Sequence, residues 1–224
     1  MKPIADGYPT SAALDLSSYR SNLNGYDEML AADGSVRPHW QAVVSFLEAE
    51  GTDGCHSRSE RIHRRIVDNG LTLDRFADPD KLEQPWHLDL IPLVFQSDEW
   101  HFIEQAMTQR MRLFEALLED VYGAQSTLDD GLLPPSMLFN DPAFLRPLHD
   151  VDINAAPRLM FMSVDLARSP KGQWRVLDTH AETTAGHGYA LANRVVLAEA
   201  SARLFRACNA RRISSFHQSV AEEL

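Results

Sequence analysis

Two short apolar runs, each ending in an acid, constrain this chain more than any other feature. Residues 158–166 run through Leu159-Met160-Phe161-Met162-Ser163-Val164 to Asp165, and residues 173–177 run through Trp174, Val176 and Leu177 to reach Asp178. Ser169-Pro170-Lys171-Gly172 lies between them. Those are turn residues, so the two runs read as strands of one β-hairpin. Behind it come His180, Glu182, Thr183 and Thr184, and then Gly186-His187-Gly188 opens a helical pattern. Strand-length runs among helical ones predict an α/β fold, with helices packed on a small mixed sheet.

Metal–phosphate chemistry can use such a segment. Carboxylates at strand ends hold a hard cation, and glycines let backbone N–H groups approach an anion. Asp165 and Asp178 reach one end of a sheet only if the register brings them there. In the other reading, which the spacing alone favours, Asp165 begins a turn and Asp178 caps a loop. His180 and Glu182 alternate with Thr179 and Ala181, so an extended chain faces both to one side. His180 can ligate a metal or pair with a carboxylate, and the structural role is the commoner for a lone histidine. Gly186 and Gly188 are a weak phosphate signal and do not make a dinucleotide fingerprint. Arg168 and Arg194 can grip phosphate or carboxylate bidentately, or form ion pairs. The chain has no Gly-x-Ser-x-Gly, no Walker lysine and no His-Glu-x-x-His, so hydrolase and zinc-protease readings lack support.

The rest of the chain supplies helices. Residues 1–35, rich in Ser, Asp, Gly and Asn, read as an irregular lead-in with one helical turn around Tyr26–Ala31, and residues 36–224 as one domain. Pro38 suits the start of a helix that buries Trp40, Val43, Val44 and Leu47 and stops at Gly51. A second helix, 57–68, carries Arg58, Arg61, Arg64 and Arg65, which read as a solvated face. Pro92 makes residues 86–95 an edge strand or an extended linker. The clearest helix starts at Ser97 as its cap, with Asp98 and Glu99 at the positive end. It buries Trp100, Ile103, Met107, Phe114 and Leu117 and stops at Gly123. Four prolines between 134 and 147 leave only short helical turns. A helix over 189–208 presents Leu191, Val195, Ala198, Ala202 and Phe205, and another starts near Ser214.

Composition removes some partners. A net charge of −11 disfavours nucleic acid and anionic membranes, and no apolar run reaches a membrane span. Cys55 and Cys208 lie too far apart in sequence for a metal or redox motif, which suits the cytoplasm.

Ordered blocks carry a resemblance. Tyr26-Asp27-Glu28-Met29-Leu30, Trp86-His87-Leu88-Asp89-Leu90-Ile91-Pro92, Glu99-Trp100, Gln109-Arg110, Asp120-Val121-Tyr122-Gly123, Gly131-Leu132-Leu133-Pro134-Pro135, Asp165-Leu166-Ala167-Arg168 and Gly186 to Arg194 follow one another along nearly the whole chain. Together they resemble the N-terminal half of circularly permuted ATP-grasp proteins of type 2, relatives of glutathionylspermidine synthase. The resemblance implies ATP- and Mg²⁺-dependent ligation of a small-molecule or peptide carboxylate to an amine through an acyl-phosphate. It also implies metal ligands in an aspartate-bearing strand, matched by Asp165, and in an acidic-x-Asn-Ala-Asp-Thr segment, over which Asp178 to Thr183 lies. There Asp178 replaces a longer acid, His180 stands where Asn is usual, and Glu182 stands for Asp. The implied site is thus Asp165, Asp178 and His180 for metal, Gly186 and Gly188 for nucleotide, and Arg168 and Arg194 for anions. The alternative is a non-catalytic scaffold that keeps the fold. Members of the family are much longer, which implies an absent C-terminal part, no ligase activity from these residues alone, and self-association through the last helices by way of Val195, Phe205 and Phe216.

Overall fold

The structure, a computed structural model, describes residues 19, 25–73, 84–151, 157–181 and 186–223. The chain divides into two compact units, Met1–Phe95 with Ala185–Leu224 and Gln96–Thr184.

Helix α1 (Gln41–Asp68) is the axis of the first unit, entered by a 3₁₀ turn at Pro38–Trp40. Gly51 does not stop it. The backbone there takes φ 62° and ψ −176°, a region that only glycine enters without strain, and the helix kinks and continues. Its two halves bury different partners. Trp40, Val43 and Leu47 pack with Leu204, whereas Ile62 and Ile66 pack with Leu90, Val196 and Leu197. Each such side chain contributes about 1.5–3 kcal/mol on burial.

The C-terminal helical stretch also departs from expectation. It breaks at Ser201, between α5 (His187–Ala200) and α6 (Ala202–Ala207), and is followed by α7 (Ser214–Glu223). Its core face is Val196, Leu197 and Leu204, while Val195 is exposed. Arg58 explains part of this. Its guanidinium donates to the carbonyl of Ala200, the last residue of α5, and pairs with Glu50 at 2.5 Å. A cation at a helix C-terminus offsets the negative end of the dipole. Arg58 is therefore a packing residue, whereas Arg61, Arg64 and Arg65 are exposed as expected for a solvated face.

Strands β1 (Thr72–Leu73) and β2 (Gln84–Pro85) pair antiparallel, and residues 86–96 run on as an extended linker. Tyr189 ties α5 to this region: its hydroxyl donates to the Thr72 carbonyl at 2.7 Å and its ring lies 4.7 Å from that of Trp86. The helical turn expected at 26–31 does not form. Asp27 Oδ1 accepts the N–H groups of Met29 and Leu30 at 2.9 and 2.6 Å, local bonds that compete with a helix, and Leu30 bridges to Val36 instead.

Helix α2 (Ser97–Val121) dominates the second unit. Its N-cap is Gln96, so Ser97 is its first residue rather than its cap. Ile103 and Val121 are buried, but Met107, Phe114 and Leu117 are half-buried and Trp100 is 42% exposed. The expected stripe is only partly covered because a hairpin of two strands, about 4.8 Å apart, is a narrow platform. The proline-rich region forms α3 (Ser126–Asp129), α4 (Pro135–Phe139) and a 3₁₀ turn at Arg146–Leu148. Asp120 joins α2 to α3. Its carboxylate accepts the Thr127 hydroxyl at 2.5 Å and the N–H groups of Thr127 and Ser126 at 2.9 and 2.8 Å. Those bonds, Thr127's first, pull its pKa down to about 2.

The hairpin forms as β3 (Ser163–Arg168) and β4 (Trp174–His180). Its first strand starts later than residue 158, because Glu115 takes the N–H groups of Arg158 and Leu159 at 2.7 Å each. All strand pairs among the described residues are antiparallel, so two two-stranded ladders stand where a small mixed sheet was expected. The α/β character holds.

Candidate functional site

Asp165 and Asp178 are direct cross-strand partners. Residues opposite one another project to the same face, with Cβ atoms about 4.5–5.5 Å apart. Both acids lie inside strands, so neither begins a turn nor caps a loop. The register then shifts: Leu166 pairs with Val176, leaving Leu177 as an extra residue that is 68% exposed. A bulge of this kind re-aims the side chains beside it. His180 lies two residues beyond Asp178, on the same face. Its Nε2 is 3.3 Å from Asp165 Oδ2 and 4.0 Å from Asp178 Oδ2. All three side chains are open to solvent. The Thr179 N–H donates to Asp178 Oδ1 at 2.7 Å.

The two carboxylates are donors suited to a hard cation, and the imidazole is an ion-pair partner when protonated. Among the described residues no group of three His, Cys, Asp or Glu side chains is set to hold a metal ion. Glu182, Thr183 and Thr184 lie outside the described residues.

Arg168 is occupied elsewhere. Its side chain is 7% exposed, pairs with Glu99 at 2.6 Å, donates to the Gly172 carbonyl at 3.0 Å and lies 4.1 Å from the Trp174 ring centroid. Glu99 also accepts Trp174 Nε1–H at 3.1 Å. Of the two roles that the sequence leaves to Arg168, the structure displays the ion pair.

Gly186, Gly188 and Arg194 belong to the other unit. Gly186 is the N-cap of α5 at φ 91°, in the left-handed region, and its carbonyl accepts the Ala190 N–H at 3.0 Å. Beyond the neighbouring backbone, no atom of the described residues lies within 4 Å of where a Cβ would stand at Gly186 or Gly188. Arg194 is half-buried, its guanidinium 5.4 Å from the Phe205 ring. A cleft of about 640 Å³ in the same unit is lined by His56, Glu60, His63, His87 and Asp89 and includes none of the candidate metal, nucleotide or anion residues.

Three residues that support the hairpin were not assigned that role from sequence: Glu99, Arg110 and Glu115. Arg110 Nε donates to Thr179 Oγ1 at 3.0 Å. From Glu99 to Arg110 the helix rises about 16 Å, and from Trp174 to Thr179 a strand rises about 17 Å. Helix α2 therefore grips the hairpin at its turn end through Glu99 and at its open end through Arg110. A long cation amid an apolar stripe was the available signal at Gln109-Arg110, while Glu99 read only as an acid at a helix start.

No helix among the described residues is long and apolar enough to cross a membrane. Residues 92–224 match the model of a protein family, circularly permuted ATP-grasp type 2. An uncharacterized protein of Mycobacterium tuberculosis (strain H37Rv) is 33% identical over 204 residues, covering 88% of this chain and 23% of the relative. An uncharacterized protein of Mycobacterium leprae is 28% identical over 213 residues, 95% of this chain and 36% of the relative. A protein of Frankia alni that bears a glutamate–cysteine ligase name is 32% identical over 170 residues, 76% of this chain and 20% of that protein. The chain thus spans between a fifth and about a third of the length of these relatives.

Proposed function

Because this chain belongs to the circularly permuted ATP-grasp type 2 family, we propose that it forms part of an ATP- and Mg²⁺-dependent ligase that joins a carboxylate to an amine. In that reaction a substrate carboxylate oxygen attacks the γ-phosphorus of ATP and ADP leaves. The amine then attacks the acyl carbon, phosphate leaves and the amine proton is lost. The acid and amine are small molecules or peptides, and the cytoplasm supplies the nucleotide. The glutamate–cysteine ligase name of the Frankia relative agrees with this class of reaction.

The observation that carries the reading is the placement of Asp165 opposite Asp178 on one exposed face of the hairpin. Mg²⁺ takes one or two carboxylates and completes its shell with water and phosphate oxygens, so this pair fits it without a third protein ligand. When bound, the cation would neutralise charge on the transferring phosphate. Asp165 and Asp178 hold the charge that attracts it, and His180 is a reserve partner whose displacement frees both acids. In the other unit, and independently of the carboxylate pair, Gly186 and Gly188 are proposed as backbone contacts to a phosphate, and Arg194 as a weaker anion contact. Arg168 fits the structural role better, since its guanidinium is committed to Glu99 and Trp174.

These residues alone are expected to bind ATP weakly and not to turn it over. A carboxylate pair leaves most of the triphosphate without donors, and an open site cannot keep water from an acyl-phosphate. Self-association through the last helices also belongs to this reading, supported by Val195 and Phe216, each about half exposed. Phe205 is instead partly buried against the core. A non-catalytic scaffold is the second reading, favoured by the contact of His180 with both acids.

Phosphorus NMR of ATP with Mg²⁺ distinguishes the two. The wild-type chain should broaden the β- and γ-phosphate resonances in a Mg²⁺-dependent way, and Asp165→Asn should not. Equal broadening by both proteins, or none by the wild type, overturns the ligase reading.

A further inference from the structure

Thr179 stands between the two β4 residues that face the cation site, Asp178 and His180. Strand alternation turns its side chain to the opposite face. There its hydroxyl accepts the hydrogen bond from Arg110 Nε at 3.0 Å, and the same guanidinium lies 5.7 Å from the Phe114 ring. Arg110 thus reaches the hairpin from behind and grips the residue that separates Asp178, a candidate ligand, from His180, the partner of both acids. The described ladder ends at the pair Ser163–His180, one residue further on. Strand ends fray, and a two-stranded ladder has little stability of its own.

We propose that Arg110 is a positioning residue that sets the spacing of Asp178 and His180 relative to Asp165 by anchoring the Thr179 hydroxyl. The inference rests on the reading that Asp165 and Asp178 hold a divalent cation. The physical reason is preorganisation. A donor set already held in place loses less conformational freedom when the ion binds, so affinity rises without any contact between Arg110 and the ion.

The test uses Mn²⁺ as the probe and the ring resonances of His180 as the reporter, in the whole 224-residue chain. Arg110→Met and Thr179→Val remove the hydrogen bond from either side while keeping most of the volume. Each should weaken the apparent Mn²⁺ affinity about tenfold, in keeping with the loss of one hydrogen bond to a charged donor. The double variant should lose no more than either single one, because both delete the same interaction. Thr179→Ser, which keeps the hydroxyl, should bind Mn²⁺ as the wild type does. A merely structural role would not yield this pattern of shared loss and hydroxyl rescue in variants whose hairpin amide spectrum is unchanged. If Arg110→Met proves unfolded, Thr179→Val against Thr179→Ser carries the comparison alone. Wild-type affinity in Thr179→Val, or an equal loss in Thr179→Ser, overturns the proposal. A wild type whose His180 resonances ignore Mn²⁺, or an Asp165→Asn chain that responds equally, sinks the cation reading itself, and this inference with it.

Discussion

Replacing Glu99 by Ala should loosen the turn end of the hairpin by an amount that the structure bounds. Arg168 is 7% exposed and Glu99 24%, with N–O 2.6 Å apart, and Glu99 also accepts Trp174 Nε1–H. Breaking a buried ion pair by deleting one partner costs about 3–5 kcal/mol, because a charge is left without its counter-charge. Two features reduce that here. Arg168 keeps its bond to the Gly172 carbonyl and its place over the Trp174 ring. A partly exposed carboxylate, once truncated, also opens a route for water. A loss of about 2–3 kcal/mol is therefore expected. The chain has two units, so a single global melting midpoint is a poor readout. Amide hydrogen exchange of the β3–β4 ladder reports the local opening. At tenfold per about 1.4 kcal/mol, exchange there should accelerate roughly 30- to 140-fold. Glu119→Ala is the control on the same helix: its side chain is exposed, and a surface charge of this kind is worth about 0–1 kcal/mol. Ladder exchange within threefold of wild type in Glu99→Ala would refute the reasoning.

Other expectations follow from particular residues. Gly51→Ala should destabilise the first unit by about 1–3 kcal/mol, since φ 62° with ψ −176° admits only glycine without strain; a neutral effect in urea titration would show that the kink is not required. Phe114→Ala should cost about half of the roughly 3–5 kcal/mol of a fully buried phenylalanine, because its ring is half-buried; a full loss on denaturation would contradict that placement. Asp120, held at about 2 in the folded state against an ordinary carboxylate value near 3.9, stabilises the fold fully above about pH 4 and loses that contribution as the pH falls towards 2. Carbon NMR titration of its carboxyl checks this, and a midpoint near 3.9 would show that its bonds to Ser126 and Thr127 do not hold the carboxylate. Val195→Asp with Phe216→Asp should shift sedimentation towards monomer, and an unchanged distribution would dismiss self-association by those faces.

Local patterns in this sequence translated well into structure. The hairpin turn at Ser169–Gly172, the long helix before Gly123 and the short turns among the prolines are each set by residues near one another in the chain. What the sequence hid depends on partners far away. Arg58 looked solvated because Ala200 lies 142 positions on. Glu99 and Arg110 looked like ordinary helix residues because Arg168 and Thr179 each lie 69 positions on. The face of α5 was misread because Val195, Val196 and Leu197 are consecutive and apolar, so periodicity does not choose among them. At the site, residue types pointed to carboxylate chemistry, but spacing favoured turn and cap roles. Only the ladder register, with its extra residue at Leu177, sets Asp165 against Asp178.

The central claim is that Asp165 and Asp178 share a divalent cation. Electron paramagnetic resonance of Mn²⁺ tests it directly. The wild-type chain should bind one Mn²⁺ that Mg²⁺ displaces, and the Asp165→Asn, Asp178→Asn double variant, with its hairpin intact, should bind none. Equal Mn²⁺ binding by the two proteins would contradict the account.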